Sequence, residues 1–303
     1  MSRFYAALKE ASRTRRSEPN GGGAPADIAS DLAMDRPLSN EEPVSRLATG
    51  AAPSRDDQSE QVVVAGALSN VNRDGDAVPV HASLDRGSRV LPHIADSAVL
   101  EHYRRLRTKL LQENEARPFR SLVIASSNPE EGKTVTAVNL ALSFAMLPSC
   151  RVLLVDGDLR KGSLGKWLGV EGPPGLSNLV EGTSSFGQVV LKSADVPCHF
   201  MLRGNSKLSA AELLNSVRLK ESLRQMSAEY DLVVVDSPPL ALVTDAQLLA
   251  GCCDAALLVV RAFSTTRKAV EQALRELQPS RVIGTVLNAG SSGRIYRRYN
   301  QYY

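Results

Sequence analysis

Aromatic side chains are scarce in this chain, and over one long stretch they are missing. Phe, Trp and Tyr make up 5% of its 303 residues, and none lies between Tyr5 and Tyr103. That stretch is rich in Ala, Gly, Ser, Pro, Asp and Arg, with Gly21, Gly22 and Gly23 in a row. It lacks the apolar surface that would offset the entropy of ordering a chain, so residues 1–95 are expected to be largely disordered. Val62, Val63 and Val64 form an apolar island, read as a solvated patch before a transient strand or docking motif. Phe4, Leu8 and Ala11 recur at helical spacing ahead of Arg13, Arg15 and Arg16. Residues 3–16 are either a short amphipathic helix that docks on a partner or membrane surface, or a fraying helix with a basic end.

Cysteine is also sparse. Cys150, Cys198, Cys252 and Cys253 form no C-x-x-C pair, and no His stands at ligand spacing. This excludes a disulfide scaffold or a zinc ribbon and fits small buried thiols in a reduced cytosol. No apolar run approaches the ~18–20 residues that span a bilayer. The N-terminus carries no uninterrupted apolar h-region, so no signal peptide is expected. The expected location is cytoplasmic, with any membrane role coming through a partner or a peripheral helix. A net charge of +3 is too small to imply nucleic-acid binding, and none is expected.

What is present is enough for one α/β core: 43% of residues are hydrophobic. From about Asp96, helical and strand patterns alternate. Leu100, Tyr103, Leu106 and Leu110 mark an amphipathic helix. Apolar runs follow at Leu122–Ala125, Val152–Val155, Phe200–Leu202, Leu232–Val235, Ala256–Val260 and Val282–Leu287. Near-continuous apolar strands separated by helices predict a doubly wound, mostly parallel sheet covered on both faces. Crossovers should be right-handed, with ligands beyond the carboxyl ends of the strands. There is no internal repeat.

The first of these runs leads into Ser127-Asn128-Pro129-Glu130-Glu131-Gly132-Lys133-Thr134, after which a helical pattern runs from Val135 to Met146. Strand, tight loop, Gly-Lys-Thr and helix are the layout of a phosphate cradle. The first N–H groups of a helix lack intrahelical partners, and the helix dipole adds positive potential, so phosphate binds there. Gly132 permits close backbone approach, Lys133 reaches the β/γ-phosphates, and the Thr134 hydroxyl is suited to Mg²⁺. Ser127 stands where the simple pattern has Gly.

Two further strands end in carboxylates. Val152–Val155 runs into Asp156-Gly157-Asp158-Leu159-Arg160. Side chains alternate along a strand, so Asp156 and Asp158 can point the same way beside the phosphates, as a cation site or a proton acceptor. Leu232–Val235 runs into Asp236-Ser237-Pro238-Pro239. Asp236 suits a water-mediated Mg²⁺ contact or a contact to the γ-phosphate, and the prolines stop the strand.

The chain from about Asp96 onward resembles the catalytic domain of the bacterial tyrosine autokinases of capsular and exopolysaccharide synthesis. The phosphate loop, the Asp156-x-Asp158-x-Arg160 strand end and the Asp236-x-Pro238-Pro239 strand end carry the likeness, with Thr244-Asp245-Ala246 following the last. So do Glu101, Arg104 and Arg107, an E-x-x-R-x-x-R pattern along one helix ridge, and a tail holding Tyr296, Tyr299, Tyr302 and Tyr303. The family's Asn-Pro before Glu-Leu-Leu is replaced by Ala210-Ala211 before Glu212-Leu213-Leu214.

The resemblance implies a SIMIBI-like P-loop NTPase fold over residues 96–290 and a substrate tail over 291–303. It implies ATP and Mg²⁺, with Ser127, Asn128, Pro129, Glu130, Glu131, Gly132, Lys133, Thr134, Val135 and Asn288 about the nucleotide, Asn288 near the adenine. Thr134, Asp158 and Asp236 become the metal set, and Lys133, Asp156, Asp158 and Asp236 the catalytic set. Asp156 is the implied base, although the division of roles with Asp158 stays open. Arg160 is expected on phosphate or on the incoming tail. Glu101, Arg104 and Arg107 are implied in ring assembly of identical copies, and the four tail tyrosines in autophosphorylation in trans. A separate membrane activator of the polysaccharide chain-length-determinant type is the implied partner, at the inner face of the membrane. A dimerising switch ATPase of the partitioning and septum-positioning kind remains the alternative.

Overall fold

The computed structural model describes residues 78–80 and 97–290, apart from Ser149, Glu171, Ala194 and Asp195. These residues belong to one compact unit. The expected helix at 3–16, the Val62–Val64 island and the tail tyrosines lie outside the described residues.

Eight strands form one sheet: β1 (Val78–Val80), β2 (Ser121–Ser126), β3 (Val152–Asp156), β4 (Leu191–Ser193), β5 (His199–Met201), β6 (Leu232–Asp236), β7 (Ala255–Arg261) and β8 (Val282–Asn288). Their spatial order is β1-β4-β5-β3-β6-β2-β7-β8, parallel except for the β4–β5 pair. The long strands fall where the apolar runs predict them. The short ones are less legible. β5 starts one residue before the run read at Phe200–Leu202, and β4 has too few apolar residues to stand out. β1 is a three-residue strand within the segment expected to be largely disordered, and it pairs in parallel with β4.

Nine helices are described: α1 (Ser97–Ala116), α2 (Lys133–Ala145), α3 (Leu164–Leu168), α4 (Leu176–Glu181), α5 (Phe186–Val189), α6 (Ala210–Leu214), α7 (Val217–Glu229), α8 (Asp245–Cys252) and α9 (Arg267–Glu276). The period of two in the central strands divides the core between the two faces. Leu122, Ile124, Leu154, Val234 and Leu257 pack with Leu140 and Phe144 of α2 and Leu110 of α1. Val123, Leu153, Val155, Val233 and Val235 pack with Leu223 and Met226 of α7 and Leu249 of α8. Each such fully buried side chain contributes roughly 1.5–3 kcal/mol of hydrophobic free energy. Both faces of β2, β3 and β6 are therefore committed to the core, and only their carboxyl ends remain for chemistry.

Candidate active site

Register brings the chemistry together. Asp156 and Asp236 are direct neighbours at the ends of the parallel strands β3 and β6. On the other side of β6, β2 pairs through Ile124 with Asp236 and then runs into the phosphate loop. Two residues shape that loop. Glu130 and Gly132 both adopt left-handed backbone, at φ 61° and 89°. Gly132 is the N-cap of α2 and caps it with no side chain, so the opening amides of the helix face the cleft. A Cβ on Gly132 would lie 1.9 Å from Nδ2 of Asn288.

The loop is tied down from several sides. Arg261 Nη1 donates to the Glu130 carbonyl at 2.7 Å, and Asn288 Nδ2 donates to the Glu131 carbonyl at 2.9 Å. The buried Glu131 carboxylate accepts from Asn128 Nδ2 at 3.2 Å and from the Thr265 hydroxyl. Ser127 accounts for its departure from Gly: it is buried, and its hydroxyl donates backward to the Ala269 carbonyl at 3.3 Å. An open cleft of about 1520 Å³ is lined by residues 128–135, Asn288 and, from α1, Val99, Tyr103 and Leu106. Ser127 is thus behind the cradle, while the other residues expected at the nucleotide line it.

Below the loop, Lys133 Nζ lies 3.1 Å from Asp236 Oδ1, and the Thr134 hydroxyl donates to Asp236 Oδ2 at 2.6 Å. Asp236 is fully buried, and burial raises its pKa against the opposing pull of Lys133. Asp156 is pushed up to about 7, first by burial and then by the neighbouring Asp236 charge, while the Leu164 and Ser163 amides hold it down. Those amides donate to Asp156 Oδ2 at 3.1 and 3.0 Å. Asp158 is near enough for its charge to act on both Asp156 and Asp236. The half-buried Asp158 folds its Oδ1 back onto the Lys161 amide at 3.0 Å. Arg160 makes a two-pronged pair with the buried Asp245, Nε to Oδ2 at 2.7 Å and Nη2 to Oδ1 at 3.1 Å.

The ridge on α1 divides. Glu101 stays within its own helix, 3.8 Å from Arg104 and 3.5 Å from Arg105. Arg104 is exposed. Arg107 is turned inward, donating to the Ser143 carbonyl near the end of α2. The sequence reading missed two supports of the phosphate loop, Arg261 and Thr265. Neither sits in a motif, and only the fold brings β7 and its following loop against residues 128–131.

The AAA domain family matches residues 121–278. Tyrosine-protein kinase YwqD of Bacillus subtilis strain 168 is 32% identical over 225 residues, covering 72% of this chain and 93% of that protein. The chain belongs to the bacterial tyrosine-protein kinases. A longer relative in this kinase family, the putative tyrosine-protein kinase EpsB of Ralstonia nicotianae, is 34% identical over 207 residues, and the match spans only 27% of its length. Among solved kinase structures, the kinase domain of Escherichia coli tyrosine kinase ETK matches with 31% identity and a TM-score of 0.60, over 64% of this chain and 76% of that one. The VpsO kinase domain matches with 30% identity and a TM-score of 0.58, over 63% and 96%. These likenesses cover the P-loop domain.

Proposed function

We propose that this kinase transfers the γ-phosphoryl group of ATP to Tyr296, Tyr299, Tyr302 and Tyr303 of a second copy, and so regulates synthesis or export of an exopolysaccharide or capsule. The observation that carries the reading is the meeting of Lys133, Thr134, Asp156 and Asp236 at adjoining strand ends beneath an uncapped helix N-terminus.

The residues present fit the groups this requires. A left-handed Gly132 and open amides suit phosphate oxygens. Thr134, Asp158 and Asp236 offer hard oxygen donors. Among the described residues no three His, Cys, Asp or Glu side chains cluster to hold a metal unaided. That suits Mg²⁺, which takes one or two carboxylates and completes its shell with phosphate and water. Bound there, Mg²⁺ supplies neutralisation of phosphate charge.

Phosphoryl transfer passes through a loose transition state, so placement and charge neutralisation carry most of the catalysis. Lys133 and the loop amides hold the β/γ-phosphates. The phenolic oxygen bonds to the γ-phosphorus as the bond to the β–γ bridging oxygen breaks, with its electrons leaving on ADP. Asp156 takes the phenolic proton, its raised pKa making it a workable base near neutral pH. Asn288 acts through the loop: its amide holds the Glu131 carbonyl, besides facing the cleft.

The tail after Gly290 is thirteen residues, which extended spans at most about 43–47 Å, enough to enter a neighbour's site in a ring. The expected partners are further copies of this chain, met through Glu101 and Arg104, and a separate membrane activator of the chain-length-determinant type at the inner face of the membrane. Among the described residues no helix is long and apolar enough to cross a membrane.

The test is mass spectrometry of the C-terminal peptide after incubation with Mg-ATP, comparing wild type with Lys133→Met. Phosphate on the tail tyrosines in wild type alone is the expected result. ATP turnover without protein phosphorylation, with activator present, would replace this reading with that of a switch ATPase.

A further inference from the structure

The loop that follows Asp158 forms a basic rim beside the site, tied down by its neighbours. Arg203 sits in the segment that follows β5. Its carbonyl accepts from the Ser177 amide at 2.9 Å, and Leu202 accepts from Leu176 at 2.8 Å. Asn178 Oδ1 takes the Gly175 and Asn205 amides at 3.1 and 3.0 Å, and its Nδ2 donates to the Asn205 carbonyl at 2.7 Å. The two backbones approach so closely that a Cβ on Gly175 would lie 2.1 Å from the Leu202 carbonyl. The Arg203 side chain then lies across Gly162, where a Cβ would meet its Cδ at 2.2 Å. Its Nη1 reaches the Leu159 and Arg160 carbonyls, each at 3.4 Å.

Arg160 is fixed as firmly by Asp245, at 2.7 and 3.1 Å. Among the described residues these contacts leave Nη1 of Arg160 and Nη2 of Arg203 to spare, and the exposed Lys161 follows Arg160 in the loop that Arg203 reaches. This rim is close to the chemistry. Ser163, two residues beyond Lys161, has its hydroxyl 3.3 Å from that of Thr134. The nearby carboxylates are already engaged, Asp245 by Arg160 and Asp158 by the Lys161 amide.

Two held guanidinium groups and an ammonium suit a phosphomonoester, whose oxygens accept paired N–H bonds. The substrate tail is itself basic, carrying Arg294, Arg297 and Arg298. Unmodified, it gains nothing from a basic rim. A tyrosine phosphate reverses that, adding about −1.5 to −2 charges and three acceptor oxygens. Tyr296, Tyr299 and Tyr302 recur every third residue, roughly 10 Å apart in an extended chain.

We propose that Arg160, Lys161 and Arg203 form a phosphotyrosine site that holds one modified tyrosine of a neighbour's tail while the next enters the catalytic centre. The first transfer is thereby slow and later ones fast. The source of the ligand rests on the kinase reading above; the binding does not.

The test uses the full chain and two peptides spanning residues 294–303, one with phosphate on Tyr299. By fluorescence anisotropy without nucleotide, the phosphopeptide should bind at least about tenfold tighter than the plain one, through charge-assisted bonds to its phosphate. Lys161→Ala/Arg203→Ala should erase that difference while retaining the wild-type melting temperature. With Mg-ATP, wild type should phosphorylate the primed peptide with the higher kcat/KM, and the double variant should treat the two alike at the wild-type rate for the plain one. Equal binding of both peptides by wild type overturns the site. So does equal binding of a phosphoserine peptide, which would mark a general anion patch, and so does a preference that survives the double variant. Selective binding without any transfer would retain the site and overturn the kinase reading instead.

Discussion

Lys133 and Asp236 form a buried ion pair, with Nζ 3.1 Å from Oδ1. The pair spans the two halves of the site, since Lys133 opens the helix after the phosphate loop and Asp236 closes the central strand β6. The lysine expected on phosphate is held on a carboxylate that also carries the Thr134 hydroxyl. Nucleotide phosphates would draw the ammonium away from that carboxylate.

Removing one member of a buried pair strands the other, at a cost of roughly 3–5 kcal/mol. Lys133→Met should therefore lower the melting temperature of the nucleotide-free protein as well as abolish transfer. Lys133→Met/Asp236→Asn should recover most of the stability and none of the activity. A double variant no more stable than the single one would show that the pair contributes nothing to the fold.

Gly132→Ala meets two obstacles, the left-handed φ of 89° and an amide nitrogen 1.9 Å from the added Cβ. Strain of this kind costs on the order of 1–3 kcal/mol. ATP affinity should fall by at least about tenfold, which is 1.4 kcal/mol. Adding Asn288→Ala should relieve the clash but not the backbone strain, so calorimetric titration should find affinity only partly restored.

The strand-end carboxylates make stability depend on pH. Asp156 is raised to about 7 and Asp236 is also raised, both chiefly by burial. The folded state therefore binds these protons more tightly than the unfolded chain. Their contribution is full below the ordinary carboxylate range and is lost as pH rises, for Asp156 through about 7. Without Mg²⁺, the melting temperature should fall between pH 5 and pH 8 (roughly the limits of that window), and less so in Asp156→Asn. Mg²⁺ should restore stability at the upper end and do little at the lower. A flat profile by scanning fluorimetry would contradict this.

On α1, Arg104 and Arg107 should separate assembly from folding. Arg104 is exposed, whereas Arg107 is half-buried and bonded to the Ser143 carbonyl. Arg104→Ala should weaken assembly in light scattering with an unchanged melting temperature. Arg107→Ala should lower the melting temperature, by about 2–4 °C per kcal/mol lost in a domain of this size. Assembly lost in Arg107→Ala alone would make the ridge a packing feature of a single copy.

Much of this site is legible in the sequence because its parts are local. An apolar run ending in Asp marks a buried strand with a carboxylate at its exit, as at Asp156 and Asp236, and Gly132-Lys133-Thr134 at a strand-helix junction marks the cradle. Asp158 shows the limit of such reasoning. Alternation puts it on the same side as Asp156, and its charge does act on Asp156 and Asp236, but the chain leaves the strand at Gly157 and Asp158 Oδ1 also takes the Lys161 amide.

The sequence by itself determined that the chain has a doubly wound α/β domain, where its long strands run and where its phosphate-loop motif lies, because hydrophobic periodicity and backbone chemistry act over a few neighbouring positions. Only the tertiary structure decided the pairings that depend on strand order. These are Asp156 beside Asp236, Arg160 on Asp245, Asn288 against Gly132, Glu131 on Thr265, and Arg203 across Gly162. The bonded pairs among them, Arg160 with Asp245 and Glu131 with Thr265, stand 85 and 134 positions apart in sequence, so no local pattern encodes them. Parallel crossovers and close glycine packing bring them together, and it is those contacts that set paired carboxylates, a lysine and a basic rim around the phosphate-loop motif.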